Sequence, residues 1–243
     1  MFETGQPYAA LALANLVTFI AAFVQTATGL GFAMVAVPLL AIIHLDFVPG
    51  PSLFASVFLA LTMLVGGRSA IVGTEVLPMF PALAAGTVLG AIVLAVAPTQ
   101  ALGALFALAI LAAVAVTILA RPFALSSLSL VCGGFAAGLM GTVSGIHGPP
   151  LVVLYQKEAV EKTRATLALI FLIGYVISLA ALAAAGHFDL RRGALGLQLL
   201  PGLFLGFAAA RQARGLLPAG VVRASMLAIA SISAIVLLAK SWA

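Results

Sequence analysis

Long apolar runs, separated only by short Gly, Pro or charged punctuation, follow one another from one end of the chain to the other. Read as helices, they fall at roughly 8–27, 30–45, 51–67, 75–97, 99–119, 125–141, 148–157, 164–186, 193–211 and 219–241. Pro51, Pro98 and Pro218 suit helix starts, whereas Gly66, Gly67, Gly186 and Gly215 suit helix ends. Pro78 and Pro81 in the fourth segment and Pro201 in the ninth remove a backbone donor in mid-run, which predicts bends there.

Two of the polar interruptions are near copies. Thr26-Ala27-Thr28-Gly29-Leu30-Gly31-Phe32 recurs as Thr142-Val143-Ser144-Gly145-Ile146-His147-Gly148, an offset of 116 residues (26 to 142). The same offset carries Gly86 and Gly90 onto Gly202 and Gly206, and after a slip of four residues Pro98 falls on Pro218. The chain therefore reads as a duplicated unit, 1–121 and 122–243, forming one transport domain in total. Each copy opens on an interrupted helix. Discontinuous helices expose backbone groups only where they line a protected cavity, and a matched pair of them points to a transporter's substrate site.

The positive charges arbitrate the topology. If each break is a single crossing, Arg68, Arg121, Arg191, Arg192 and Lys240 face Lys157, Lys162, Arg164, Arg211, Arg214 and Arg223 across the membrane, a near-even split that assigns no orientation. If each break is the tip of a hairpin returning to its starting side, only Arg191, Arg192 and Lys240 stand opposite the other eight, and the positive-inside tendency is met. The segment at 148–157 is also too short for a core that needs about 20 helical residues. The expected fold is an all-α integral membrane protein of two inverted repeats. Each repeat is a broken, re-entrant hairpin plus three spans, and both termini lie on the non-cytoplasmic side of the cytoplasmic membrane.

Composition agrees with a chain that lies almost wholly in the bilayer: 64% of the 243 residues are hydrophobic and 7% charged. The net charge of +5 sits at segment ends, where Lys and Arg set orientation and attract anionic headgroups, so no nucleic acid partner is expected. Met1 to Pro7 carries no positive charge and no small-residue cleavage site follows a short apolar core, which predicts no signal peptide and a retained first helix. Cys132 has no cysteine partner, so neither a disulfide nor a thiolate metal site is expected. Trp242 reads as an interfacial anchor.

At each break a new helix begins near mid-membrane, and its first N–H groups lack intrahelical partners. Those donors and the helix dipole favour negative charge. The candidate substrate-binding residues are Gln25, Thr26, Thr28, Gly29 and Gly31 at the first break and Thr142, Ser144, Gly145, His147 and Gly148 at the second. Pro149 suits the first position of the second new helix. The inverted relation would aim both helix starts at one central point. Glu3, Asp46, Glu75, Glu158, Glu161 and Asp189 all fall near segment ends, leaving no mid-depth carboxylate for a cation or a proton relay, and no metal or cofactor is expected. His147 is the one titratable residue beside a break and the candidate for coupling.

Each of these residues also has a structural reading. Thr and Ser in membrane helices commonly bond a neighbouring backbone, and His147 can be a packing group. Gly86, Gly90, Gly202 and Gly206 read as close-packing positions, within one protomer or across a homodimer. Gln198, Tyr175 and Ser178 are candidates for a cavity wall whose facing the periodicity does not give. The cluster from Lys157 to Arg164 reads as interfacial charge or as a collector of anions at the cytoplasmic entrance.

With these residues in view, the chain resembles the TauE/SafE family of membrane permeases over essentially its full length. The resemblance rests on the two-copy architecture, on Ala137 to Ile146 with Gly148-Pro149-Pro150 after it, and on Gln25 to Ala33 with Pro38 downstream. Family members typically carry a Gly-x-Gly-Gly-Gly-like stretch at the breaks; here these read Gly29-Leu30-Gly31-Phe32-Ala33 and Gly145-Ile146-His147-Gly148-Pro149. The resemblance implies export of sulfite, an organosulfonate or a related sulfonated or carboxylated acid. The paired breaks predict alternating access, with the hairpin tips clasping the anion while the two repeats rock against each other, and no catalysis is expected. An anion channel using the same helix starts is the alternative. A membrane-embedded enzyme is weaker: Ser144 and His147 are three apart, but no third group orients them.

Overall fold

The computed structural model describes residues 7–29, 31–65, 71–119, 124–212 and 219–242. Glu3, Leu30, Gly66, Gly67, Arg68, Arg121, Arg214, Gly215 and Pro218, with the side chains of Glu161, Arg223 and Trp242, lie outside the described residues.

The described residues are helical, without strands. The first broken pair is α1 (Pro7–Thr28) and α2 (Phe32–Ile43), after which a 3₁₀ turn (Leu45–Phe47) leads into α3 (Gly50–Val65), α4 (Gly73–Val96) and α5 (Leu102–Leu119). The second is α6 (Ser127–Ser144) and α7 (Gly148–Tyr155), followed by α8 (Val160–Ala184), α9 (Leu190–Gln198), α10 (Leu200–Gln212) and α11 (Ala219–Trp242). Among the described residues, eight spans are long and apolar enough to cross a membrane, with α9 and α10 counting together as one. By contrast α2 and α7 have 12 and 8 residues, well short of the about 20 a crossing needs.

Local chemistry sets several ends. Ser126 and Ser129 form a reciprocal capping box at the start of α6, and the Asp189 carboxylate caps α9 by accepting from the Arg192 amide at 2.8 Å. The ninth sequence segment divides at Leu199, just before Pro201, whose ring lacks a donor and crowds the carbonyl one turn back.

Helix directions follow from the pairings. In α4 and α6, the most extensive pair, Met79 faces Gly134 and Leu83 faces Gly138, so the two run parallel. In α1 and α10, Gly202 lies against Asn15 and Gly206 against Phe19, again parallel. A side chain at Gly86, Gly138, Gly202 or Gly206 would collide with the facing backbone, so these glycines admit close helix approach within one chain. That settles the two readings left open for Gly86, Gly90, Gly202 and Gly206: they pack inside the protomer.

Helix α8, of 25 residues and roughly 37 Å long, spans the molecule. At its start Lys162 pairs with Glu75 of α4 at 2.6 Å, and Thr166 accepts from the Val72 amide at 3.3 Å. Past its far end Phe188 packs on Gly50 at the start of α3, and Arg191 pairs with Asp46 at 2.8 Å. These two ends are called the Lys162 end and the Arg191 end below.

Candidate functional site

The first break closes with Gly29 donating to the Gln25 carbonyl at 2.7 Å. Gly29 and Gly31 both take left-handed backbone, φ 88° and 113°, a region open to glycine at little cost. Space demands glycine as well: a Cβ would strike Arg164 from Gly29 and Met226 from Gly31. The buried Gln25 carboxamide folds over the gap, its Oε1 accepting from the Phe32 amide at 2.8 Å and its Nε2 lying 3.6 Å from Met63 Sδ. Thr28 Oγ1 donates to the Val24 carbonyl at 2.8 Å, and Thr26 Oγ1 is buried with no hydrogen-bond partner. Arg164 donates to the Ala27 carbonyl at 2.9 Å, setting a cation against the carbonyl end of α1. The ladder of α2 begins with the Val35 amide and the Gly31 carbonyl at 3.2 Å, so the Ala33 and Met34 amides precede it.

The second break is built differently. Gly145, at φ 83°, ends α6, and Ser144 Oγ bonds backward to the Met140 carbonyl at 2.8 Å while accepting from the Ile146 amide at 3.4 Å. Helix α7 then opens on Gly148, Pro149 and Pro150. Two successive prolines have no N–H to offer, so this start is poor in donors and the α2 start carries more of the amide potential. His147, 1% exposed, lies in a slot whose walls are Gly141 of α6 and Gly174 of α8; a Cβ on either would collide with the ring. Its Nε2 is 3.1 Å from Ser178 Oγ, which is 2.8 Å from Thr142 Oγ1, and the ring meets Tyr175 edge-on at 5.0 Å. Nδ1 is buried with no partner in hydrogen-bonding geometry.

Between the breaks is a cavity of about 220 Å³. Gln25, Thr28 and Gly31 line it from the first break, and Ile146, Gly148 and Pro149 from the second. Ala33 and Met34 of α2, Thr117 of α5, Val152 of α7, Phe171 and Tyr175 of α8 and Met226 of α11 complete the wall. None of these is a formally charged side chain, so charge selection here rests on backbone and neutral polar groups.

The breaks are not level. The first lies beside Arg164 and the second beside Ser178, on the same helix α8, with the wall residues Phe171 and Tyr175 between them. They flank two ends of one cavity rather than converge on a point, because α1, with 22 residues, and α6, with 18, are each long enough to cross and enter from opposite ends. Of the ten candidate residues, Gln25, Thr28, Gly31 and Gly148 line the cavity. Thr26, Gly29, Thr142, Ser144, Gly145 and His147 are outside its lining, in the packing around it.

A model of the family described as Sulfite exporter TauE/SafE matches residues 14–237. The chain belongs to this family. Comparison with curated proteins and with solved structures gives no match. TauE/SafE proteins are membrane transporters of small anions, and the family match with eight membrane-length spans makes this chain a multi-pass permease of that kind.

Sequence reasoning flagged Tyr175 as a candidate wall residue and the structure lines the cavity with it; Ser178 instead joins His147 to Thr142, and Gln198 is exposed, its carbonyl accepting from Asn15 Nδ2 at 2.9 Å. It missed Met34, Thr117, Val152, Phe171 and Met226. On helices that are apolar all round, neither an apolar side chain nor a lone threonine bonded to its own helix carries a periodic signal that separates a cavity wall from lipid contact. Lys162, read as interfacial charge, is instead paired with both Glu75 and Glu158, at 2.6 and 2.7 Å.

Proposed function

We propose that this TauE/SafE permease exports a small anion, sulfite, an organosulfonate or a related sulfonated or carboxylated acid, by alternating access around the cavity between its two breaks. The observation that carries the reading is that one cavity is lined by residues of both breaks, Gln25, Thr28 and Gly31 with Gly148 and Pro149. An anion seated there meets the positive end of α2 and the Gln25 NH2 group, in surroundings of low dielectric where dipoles act strongly. The Thr28 hydroxyl can donate to it by turning away from the Val24 carbonyl.

In this reading the chain is two inverted repeats, 1–121 and 122–243. Support comes from exchanged partners: α1 of the first half packs parallel to α10 of the second, and α6 of the second packs parallel to α4 of the first. The hairpin α1–α2 starts and returns at the Arg191 end, and α6–α7 starts and returns at the Lys162 end. Lys157, Lys162, Arg164 and Arg211 share the Lys162 end, which we assign to the cytoplasm, with both termini outside. An inside-negative potential then favours exit of the anion by about 2.3 kcal/mol per charge per 100 mV. His147 is assigned the coupling role, reaching the site through the Ile146–Gly148 wall it supports.

A stability screen of purified protein against sulfite, sulfate, taurine, sulfoacetate and simple carboxylates tests the substrate, because a ligand bound only to the folded state raises the melting temperature. Counterflow in liposomes tests the carrier mechanism: substrate on the far side accelerates exchange in a carrier and leaves a channel's flux unaccelerated.

A further inference from the structure

Two ion pairs stand at opposite ends of the molecule, and the internal repeat relates them. Asp46 pairs with Arg191 at 2.8 Å, and Glu75 pairs with Lys162 at 2.6 Å. The 116-residue offset that superimposes the breaks carries Asp46 onto Lys162 and Glu75 onto Arg191, so each pair is the other with acid and base exchanged. The charges differ in sign at both positions, yet the pairing survives, which selects for attraction between these two places rather than for either residue.

Each pair fastens the outer end of one short helix. Asp46 sits in the 3₁₀ turn directly after α2 and is tied to the start of α9. At the other end Lys162 bridges Glu75 of α4 and Glu158 just past α7, while Tyr155, the last residue of α7, donates to Glu75 at 2.9 Å. The inner ends of the same two helices, through Gly31, Ala33 and Met34 and through Gly148 and Pro149, form the cavity wall. Both short helices are buried along most of their length, nine of 12 residues in α2 and six of 8 in α7, so apolar packing holds their flanks while the ion pairs supply the polar ties at their outer ends.

We propose that Asp46–Arg191 and Glu75–Lys162 are the two latches of the transport cycle, each holding one short helix shut and each opening the cavity toward its own face. This rests on the alternating-access reading, but its test needs no substrate. With both pairs formed, the structure is the doubly latched state. Side-chain exposures of 15% for Glu75 and 25% for Lys162, against 29% for Asp46 and 57% for Arg191, make the Lys162-end latch the more sheltered of the two.

The test places a reporter cysteine at Met226, which lines the cavity, in a Cys132→Ser background that removes the chain's one native thiol. A membrane-impermeant methanethiosulfonate reagent is applied to right-side-out and to inverted vesicles. Glu75→Gln should raise the labelling rate by about 5-fold or more from one side, and Asp46→Asn by a similar factor from the opposite side. In a Glu158→Gln background, which removes the second carboxylate on Lys162, the swapped pair Glu75→Lys with Lys162→Glu should return labelling to the rate of Glu158→Gln alone; if Glu75→Gln does not fold, Lys162→Met with Glu158→Gln takes its place. Equal labelling in all variants, a rise from the same side in both, or a rise from both sides at once would overturn the proposal, whatever the substrate proves to be.

Discussion

The side-chain oxygen of Gln25 accepts from the backbone amide of Phe32, spanning the first break at 2.8 Å. One side chain thus closes the end of α1 over the beginning of α2 while its residue faces the cavity. Gln25→Ala leaves a buried N–H without its partner, and the expected loss is about 1–3 kcal/mol of stability. Gln25→Glu keeps the acceptor but puts a negative charge beside the anion site, so it should retain more of the stability and lose anion binding. Thermal unfolding of the detergent-solubilised variants, with and without added anion, separates the two effects.

His147 fills a slot between two glycines, so those glycines should be as sensitive as the histidine. Gly141→Ala and Gly174→Ala each drive a Cβ into the imidazole, and overpacking of this kind costs about 1–3 kcal/mol. If His147 couples transport to a proton, His147→Gln should fold and should flatten the dependence of anion flux on the pH gradient. Flux that keeps its parental pH dependence in His147→Gln would reduce the residue to a packing role.

The helix crossings rank the remaining glycines. Gly86→Val and Gly202→Val push side chains into the facing carbonyls of Phe135 and Asn15 and should abolish monodisperse protein. Gly73→Ala and Gly220→Ala meet nothing within 4 Å and should stay within about 0.5 kcal/mol of the parent. Size-exclusion profiles in detergent check this ordering directly.

Lys162 neutralises two carboxylates, so removing it alone should be worse than removing it together with one of them. Lys162→Met leaves Glu75 and Glu158 facing each other through a half-buried gap; Lys162→Met with Glu75→Gln relieves that repulsion. A double-mutant cycle in thermal stability should give a coupling of about 1 kcal/mol or more, above the usual value for an exposed pair.

Much of the fold was legible because membrane helices are punctuated by residues with a mechanical reason to be there. The breaks after Thr28 and Ser144 were readable from Gly29, Gly31 and Gly145, and all three take left-handed backbone. Pro201 announced a disturbance, and the helix divides at Leu199 just before it. Other features have no local signal. That α1 is long enough to cross before it breaks, setting the two breaks at different depths, depends on tilt and packing across helices far apart in sequence. The two proline amides missing from α7 were visible as residues, but their consequence, a donor-poor second helix start, needed the helix boundary at Gly148. Pairing of Asp46 with Arg191 and Glu75 with Lys162 joins positions that only the folded chain brings together.

The most direct test of the central claim is binding of a small anion at the cavity between the breaks, read as the melting-temperature shift of the purified protein in sulfite and in sulfoacetate. The account predicts that at least one of them stabilises the parent, by about 2.7 kcal/mol at a hundred times its dissociation constant, and that Gln25→Glu with Thr28→Val loses this shift while remaining folded. An equal shift in parent and double variant, or stabilisation by a metal cation in place of any anion, would contradict it.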